Sequence, residues 1–202
     1  MAGRPRQFDR TQALHKARDL FWQRGFEATS MADLVTELGI ASARIYAAFG
    51  SKEALFREAI ESYETGEGAF AALALEQEPL LRDGLQRMFR DAIALYTRPE
   101  QPYGCMVVSA ATNCSQGNDG IRQWLAEHRQ QRTESIIQRF RHAIEAGELK
   151  EDTDAAALGD YYATLLHGLS VQARDGVSPE RLLAMIPTLM TAFDLAQTET
   201  IV

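Results

Sequence analysis

The chain has 202 residues, of which 46% are hydrophobic and 24% charged, a globular composition long enough for a large core with a small satellite domain. This balance excludes a chain that is mostly disordered, and the formal net charge of −7 argues against indiscriminate binding to nucleic acid. The basic N-terminus has no apolar segment behind it, and the apolar run at 69–75 is too short to cross a bilayer. We therefore expect a soluble, cytoplasmic protein with no membrane partner.

The charge is unevenly distributed along the chain. Residues 1–60 contain nine Lys and Arg against seven Asp and Glu, a balance of +2, whereas residues 61–202 contain 12 against 21, a balance of −9. Such an asymmetry is consistent with a small DNA-facing head on an acidic body, although it does not by itself identify a function.

Helical periodicity runs through nearly the whole chain, and sustained period-2 alternation with turn dipeptides is absent. The sequence therefore predicts an all-α fold. Ser30 and Asp33 have the spacing of a capping box, and Gly39 is a plausible left-handed residue at the end of the second helix. The predicted helices cover about residues 9–25, 30–38, 42–49, 52–73, 80–97, 105–113, 119–149, 153–176 and 178–197.

The second and third helices are joined by the tight turn Gly39-Ile40-Ala41 and have the dimensions of a helix-turn-helix. Ile40 and Ile45 are predicted to hold the two helices together on the inner side. The outer side then presents Ser42, Ala43, Arg44, Tyr46 and Ala47. Arg can donate two hydrogen bonds to a guanine, Ser can bond a base edge or a phosphate, and small Ala residues allow close approach.

A second DNA contact is predicted at the start of the fourth helix. Lys52 follows the capping residue Ser51, so its charge and the backbone N–H groups of the first turn can act together on a phosphate. Tyr46 can donate its hydroxyl to another phosphate.

The N-terminal segment resembles the TetR family of bacterial transcriptional regulators over about residues 9–57. The elements that carry the resemblance occur in the expected order and spacing: Gly25-Phe26, Thr29-Ser30, Leu38-Gly39-Ile40, Tyr46 with Phe49, and Ser51-Lys52-Glu53 followed by Leu55-Phe56. The rest of the chain is similar to the family in length and helicity.

The resemblance implies a helix-turn-helix DNA-binding domain at 1–50 and a helical ligand-binding and dimerisation domain at 51–202. It also implies phosphate contacts from Thr29, Tyr46 and Lys52, and base-reading positions at Ser42, Ala43 and Arg44. The expected partners are a double-stranded operator, a second copy of the chain and a small-molecule effector that releases the DNA. Repression is the family's common mode. The N-terminal Gly3-Arg4-Pro5-Arg6 is either a minor-groove arm or a solvated tail.

The candidate ligand-binding residues are Met88, Tyr96, Cys105, Tyr162 and His167. Cys105 is either a reactive thiol near a helix N-terminus, as in a regulator that senses electrophiles or oxidants, or a small buried apolar residue. His167 is either a polar group in a ligand pocket or a hydrogen-bonded histidine of the core or interface. The last two long helices contain many small and apolar residues, which suits a two-fold interface.

No cofactor or metal site is predicted. The four histidines lack metal-ligand spacing, and the two cysteines, Cys105 and Cys114, are too few for a four-cysteine zinc site. We find no nucleophile elbow, P-loop, dinucleotide fingerprint or His-Glu-x-x-His motif, so an enzyme is disfavoured. A helical adaptor with a vestigial DNA-binding head is a further alternative, which predicts no salt-sensitive operator binding.

Overall fold

The structure is a computed structural model that describes residues 8–99, 104–110 and 116–198. Within these ranges the chain is helical and contains no β-strand, which confirms the all-α prediction. The helices are α1 Arg10–Arg24, α2 Met31–Leu38, α3 Ser42–Phe49, α4 Lys52–Thr65, α5 Phe70–Gln77, α6 Leu81–Tyr96, α7 Met106–Ser109, α8 Asp119–Glu145, α9 Ala155–Arg174, α10 Pro179–Leu183 and α11 Ile186–Ala196. The predicted N-terminal arm at residues 3–6 and Cys114 lie outside the described residues.

The first three helices begin and end where the local sequence signals predict. The carboxylate of Asp9 accepts a hydrogen bond from the backbone N–H of Gln12 and caps α1. Ser30 and Asp33 form the predicted capping box at the start of α2. Gly39 ends α2 with φ +68°, in the left-handed region that favours glycine.

Two helices predicted as continuous are broken. The segment after Ser51 ends its first helix at Thr65, and a 3₁₀ turn at Glu67–Ala69 separates α4 from α5. The segment 178–197 forms α10 and α11 rather than one helix. Pro187 lies in the first turn of α11, where its lack of an N–H costs nothing, and it cannot continue a helix from α10.

The buried side chains form one connected core that extends from the head into the larger domain. α4 packs against α1, α5 against α6, and α8 against α9. Trp22 of α1 is fully buried and donates from Nε1 to the carbonyl of Gly104 at 3.0 Å, just before α7. The head is therefore joined to the rest of the molecule through α1 and α4.

Candidate nucleic-acid interface and cavity

The helix-turn-helix is built on α2 and α3. Leu34 and Leu38 of α2 and Ile45 and Phe49 of α3 are buried in the head, while Ile40 in the turn is partly buried against them. This packing fixes which side of α3 faces outward. The outward side carries the five predicted residues, all exposed: Ser42, Ala43, Arg44, Tyr46 and Ala47.

An ion pair that was not predicted from the sequence connects the helices of the head. The guanidinium of Arg10 in α1 binds the carboxylate of Glu58 in α4 with both terminal nitrogens, the second at 2.8 Å. Its Nε also donates to the carbonyl of Ala48, and its Cζ lies 4.5 Å from the ring centroid of Phe49 in α3. Through this one side chain α1 contacts both α3 and α4.

Lys52 lies at the first residue of α4, as predicted. Its Nζ is 4.3 Å from the ring centroid of Phe26, and the Oγ of Ser51 accepts a hydrogen bond from the N–H of Ala54 at 2.9 Å. The ammonium is thus held over an aromatic ring beside the positive end of the helix dipole. The positive charge of Lys52 and the dipole of α4 both favour an anion at this point of the surface.

Thr29 differs from the other predicted phosphate contacts. Its side chain is buried, and its hydroxyl donates to the carbonyl of Gly25 at 2.7 Å. A hydroxyl that is buried and already bonded cannot reach a phosphate in this conformation. The structure instead places Thr29 beneath the start of α2, where it stabilises the turn after α1.

The capping box of α2 is reinforced by charge. A hydrogen bond from the Ser30 hydroxyl, followed by one from the Ser30 N–H, lowers the pKa of Asp33 below its ordinary value. Arg24 of α1 contributes an ion pair to the same carboxylate at 2.9 Å. These bonds fix the N-terminus of α2 against α1.

The larger domain contains a cavity of about 140 Å³ between α4, α5, α6, α8 and α9. Of the five predicted ligand-binding residues, Tyr96, Cys105 and His167 line it together. Met88 and Tyr162 do not line this cavity, and both are fully buried. The hydroxyl of Tyr162 donates to the carbonyl of Leu189 at 3.0 Å, so it is engaged elsewhere in the core.

Cys105 lies in a polar cluster at the cavity wall. Its Sγ is 3.6 Å from the hydroxyl of Tyr63 and 3.4 Å from Nη1 of Arg132, both of which donate to it. Its backbone N–H donates to the hydroxyl of Ser170 at 2.7 Å. Burial, together with the nearby thiol, raises the pKa of Tyr63 and of Tyr96, so both phenols stay protonated and remain donors.

Arg132 and Glu64 are cavity residues that sequence reasoning missed. Nη2 of Arg132 in α8 is 3.3 Å from Oε1 of Glu64 in α4. Each is one charged residue among many on an amphipathic helix, and no local motif distinguishes it. Burial, and then the charges of Arg129 and Arg132, lower the pKa of His167, so its imidazole is neutral at neutral pH.

A chain of contacts runs from the cavity toward the head along α4 and α8. Oε2 of Glu64 is 2.7 Å from Nδ1 of His128, whose ring centroid lies 4.3 Å from that of Trp124. The guanidinium of Arg57 lies 4.7 Å from the Trp124 ring. The contacts therefore lead from Glu64, through two residues of α8, back to Arg57 in the half of α4 that begins at Lys52.

The described residues contain no cluster of three or more His, Cys, Asp or Glu side chains placed to hold a metal ion. Among the same residues, no helix combines the length and apolar character needed to span a membrane.

In the head, α3 is exposed and packs on α1, α2 and α4. A larger helical domain with an internal cavity follows. This arrangement is that of a helix-turn-helix DNA-binding regulator. Comparison with known families agrees. Residues 13–59 match the family described as "Bacterial regulatory proteins, tetR family", and residues 82–187 match "Tetracyclin repressor-like, C-terminal domain". The chain belongs to the TetR family of transcriptional regulators, as the resemblance indicated.

Similar proteins extend over almost the whole chain. The HTH-type transcriptional repressor ComR of Escherichia coli is 33% identical over 190 residues, 93% of this chain and 90% of ComR. The repressor BdcR of the same species is 32% identical over 187 residues, covering 90% and 87%. A cysteine mutant of CifR, solved with a 26-base-pair operator, has 42% identity and a TM-score of 0.89, covering 94% of this chain and 99% of CifR.

Proposed function

We propose that this chain is a transcriptional repressor that binds an operator as a homodimer and leaves it when a small molecule enters the cavity. The observation that carries the proposal is the exposed face of α3, held outward by the buried Ile45 and Phe49. The similar proteins ComR and BdcR are repressors, and CifR binds operator DNA.

In this proposal α3 enters the major groove. Arg44 contacts a guanine, and Ser42 and Ala43 approach neighbouring base edges. Tyr46, whose side chain is 49% exposed, and Lys52 bind phosphates on either side. Thr29 supports this surface from beneath, since its hydroxyl is bonded to Gly25.

We propose domain boundaries at 1–50 for DNA binding and 51–202 for ligand binding and dimerisation. α4 begins directly after this boundary and connects the two functions. Its N-terminal Lys52 lies at the DNA-facing surface, and Glu64 in its last turn lines the cavity. A ligand that moves the C-terminal part of α4 thereby changes the position of the head.

Regulation rather than catalysis is the proposed activity, and we propose that it takes place in the cytoplasm. The similar proteins ComR and BdcR are named as transcriptional repressors. The cavity is a binding site for an effector in this proposal, with no reaction required to release the DNA.

A second candidate function is thiol-based sensing through Cys105. Cys105 is one of the residues that line the cavity, and its Sγ accepts from the guanidinium of Arg132 at 3.4 Å, so in this candidate function an electrophile in the cavity reacts with that sulfur. Cys105→Ser distinguishes the candidates. A reversible ligand still releases DNA from the variant, whereas release by a reactive electrophile or oxidant is lost.

The first experiment measures binding of the full chain to DNA from upstream of its own gene, by fluorescence anisotropy at several salt concentrations. Arg44→Ala is expected to weaken binding by about 1–3 kcal/mol and to relax specificity at one base position. Lys52→Ala is expected to make operator affinity less dependent on salt concentration, by about the effect of one phosphate contact per subunit. It is expected to change specificity little.

Arg90→Ala is the matched control, because Arg90 is exposed on α6 and bonded to Gln86 of the same helix. It is expected to leave both the affinity and the salt slope unchanged. Weak, sequence-independent binding by the unmodified chain would contradict the proposal and favour the adaptor.

A further inference from the structure

The cavity is small and largely apolar. Its volume of about 140 Å³ is close to that of an engineered cavity of roughly 150 Å³ that binds benzene. Aliphatic and aromatic side chains supply much of its wall, among them Phe70, Leu75, Ile136 and Leu166. We therefore expect an occupant of about six to nine non-hydrogen atoms with an apolar body.

The polar end of the cavity carries an excess of positive charge. Among the described residues, its charged lining side chains are Arg132 and Glu64. Arg129 lies about one turn before Arg132 on α8, is partly buried, and donates to the carbonyl of Val107 at 3.0 Å. Glu64 also contacts His128, so it is shared between two partners. The Glu64 carboxylate thus contacts Arg132 and His128, and Arg129 adds a second positive charge near enough to lower the pKa of His167. Partial burial strengthens these electrostatic interactions.

His167 does not reverse this balance. Burial and the charges of Arg129 and Arg132 lower the pKa of its imidazole, so it is a neutral hydrogen-bonding group at neutral pH. The thiol of Cys105 and the phenol of Tyr96 complete the polar end. A cation placed here is repelled by the charges of Arg132 and Arg129, whereas an anion gains the guanidinium of Arg132 and meets one like charge, that of Glu64.

We propose that the cavity binds a small carboxylate whose anionic group is held by Arg132 in competition with Glu64. The guanidinium offers a planar set of donors that matches a carboxylate, and the apolar body lies against Phe70, Leu75 and Ile136. The proposal rests on the proposed function, in which this cavity is the effector site. Binding loosens the bond between Arg132 and Glu64 and so leaves Glu64 held to α8 by His128 alone.

The test uses three probes of nearly the same shape and different charge: benzoate, benzamide and benzamidine. Binding to the full-length chain is measured by isothermal titration calorimetry without DNA. Benzoate is expected to bind about tenfold or more tightly than benzamide, as a charge-assisted bond to Arg predicts, and benzamidine is expected to show no saturable binding. Benzamide or benzamidine binding as tightly as benzoate overturns the proposal, and so does a lack of saturable benzoate binding.

Variants of the ion pair give opposite expected effects. Arg132→Gln removes the proposed anchor and is expected to weaken benzoate binding by about tenfold or more, whereas Glu64→Gln removes the competitor and is expected to tighten it. Arg141→Gln is the control, since Arg141 is exposed on α8 and paired with Glu134. Unchanged binding by Arg132→Gln, or weaker binding by Glu64→Gln, contradicts the proposal.

The calorimetric test separates this inference from the proposed function. Operator binding is measured independently, so tight and specific DNA binding with no preference for the anionic probe overturns the ligand class alone. Loss of the anisotropy signal with a normal benzoate series overturns the DNA-binding role alone.

Discussion

The capping box formed by Ser30 and Asp33 stabilises the start of α2 in the DNA-binding head. The hydroxyl of Ser30 accepts from the N–H of Asp33 at 3.1 Å, and the Asp33 carboxylate accepts from the N–H of Ser30 at 2.9 Å. Arg24 binds the same carboxylate from α1. An ionised Asp33 therefore stabilises the start of α2 and its contact with α1.

We expect the acid stability of the head to depend on Asp33. Its pKa is lowered in the folded chain, chiefly by the hydrogen bonds from Ser30, so the stabilisation is present above the ordinary value of 3.8 and is lost as the pH falls through the lowered native value. Asp33→Asn should lower stability at neutral pH and reduce the loss on acidification, measured by urea unfolding between neutral and acidic pH. Asp152→Asn, in the exposed turn between α8 and α9, is the control. If Asp33→Asn loses as much stability between neutral and acidic pH as the unmodified chain, this role of Asp33 is contradicted.

Residue-scale prediction from sequence succeeds where the partners are close in the chain. Ser30 and Asp33 are three positions apart, so their spacing alone reveals the bond. Arg132, Glu64 and Cys105 belong to three separated segments, which come together because α4 and α8 both pack against α7, the helix that begins just after Cys105. Thr29 shows that a family motif can identify a position without showing the direction of its side chain. Its hydroxyl points inward and is bonded to Gly25.

At the scale of elements, the close packing of α8 against α9 depends on Gly159. A Cβ at this position would lie 2.3 Å from Cγ1 of Ile137 and 3.0 Å from its Cα, closer than real side chains approach. Because Ile137 contributes backbone atoms to this contact, a rotamer change alone does not relieve it. The two helices forming a large part of the cavity wall are therefore held together at a position where only glycine fits.

Gly159→Ala is expected to destabilise the chain by about 1–3 kcal/mol despite the better helix propensity of alanine, because the helices must separate. Gly120→Ala on α8 is the matched control, since a Cβ there meets nothing within 4 Å. The control should be neutral or slightly stabilising. Denaturant unfolding measures both, and equal stability of the two variants would show that α8 and α9 separate without cost.

Helix positions were predictable from sequence where a cap or a glycine marks the boundary, as at Asp9, Ser30 and Gly39. The breaks after Thr65 and before Ile186 were missed. Apolar periodicity continues through both breaks, so that pattern alone favours one helix. The local signals that mark the breaks are Gly66 and Gly68 at the first and Pro187 at the second.

At the scale of the whole molecule, the C-terminal helices present apolar side chains to the outside. Tyr161 of α9 is 41% exposed, Val171 of α9 48% and Leu183 of α10 43%. Two recognition helices must lie about one DNA turn, roughly 34 Å, apart to read a palindrome. A two-fold contact between two copies through α9, α10 and α11 covers these apolar side chains and pairs two recognition helices. We therefore expect a substitution that prevents dimerisation to prevent operator binding as well.

Leu183→Glu tests this link. If Leu183 is buried in the dimer, the two-fold axis brings two unpaired carboxylates into one apolar contact, so the dimer should weaken by about tenfold or more. Analytical ultracentrifugation measures dimerisation, and anisotropy measures operator binding in the same samples. Leu73→Glu is the control, because Leu73 is similarly exposed, at 41%, but lies on α5.

A Leu183→Glu chain that stays dimeric excludes Leu183 from the interface. A monomeric variant that still binds the operator with full affinity shows that the two heads act independently.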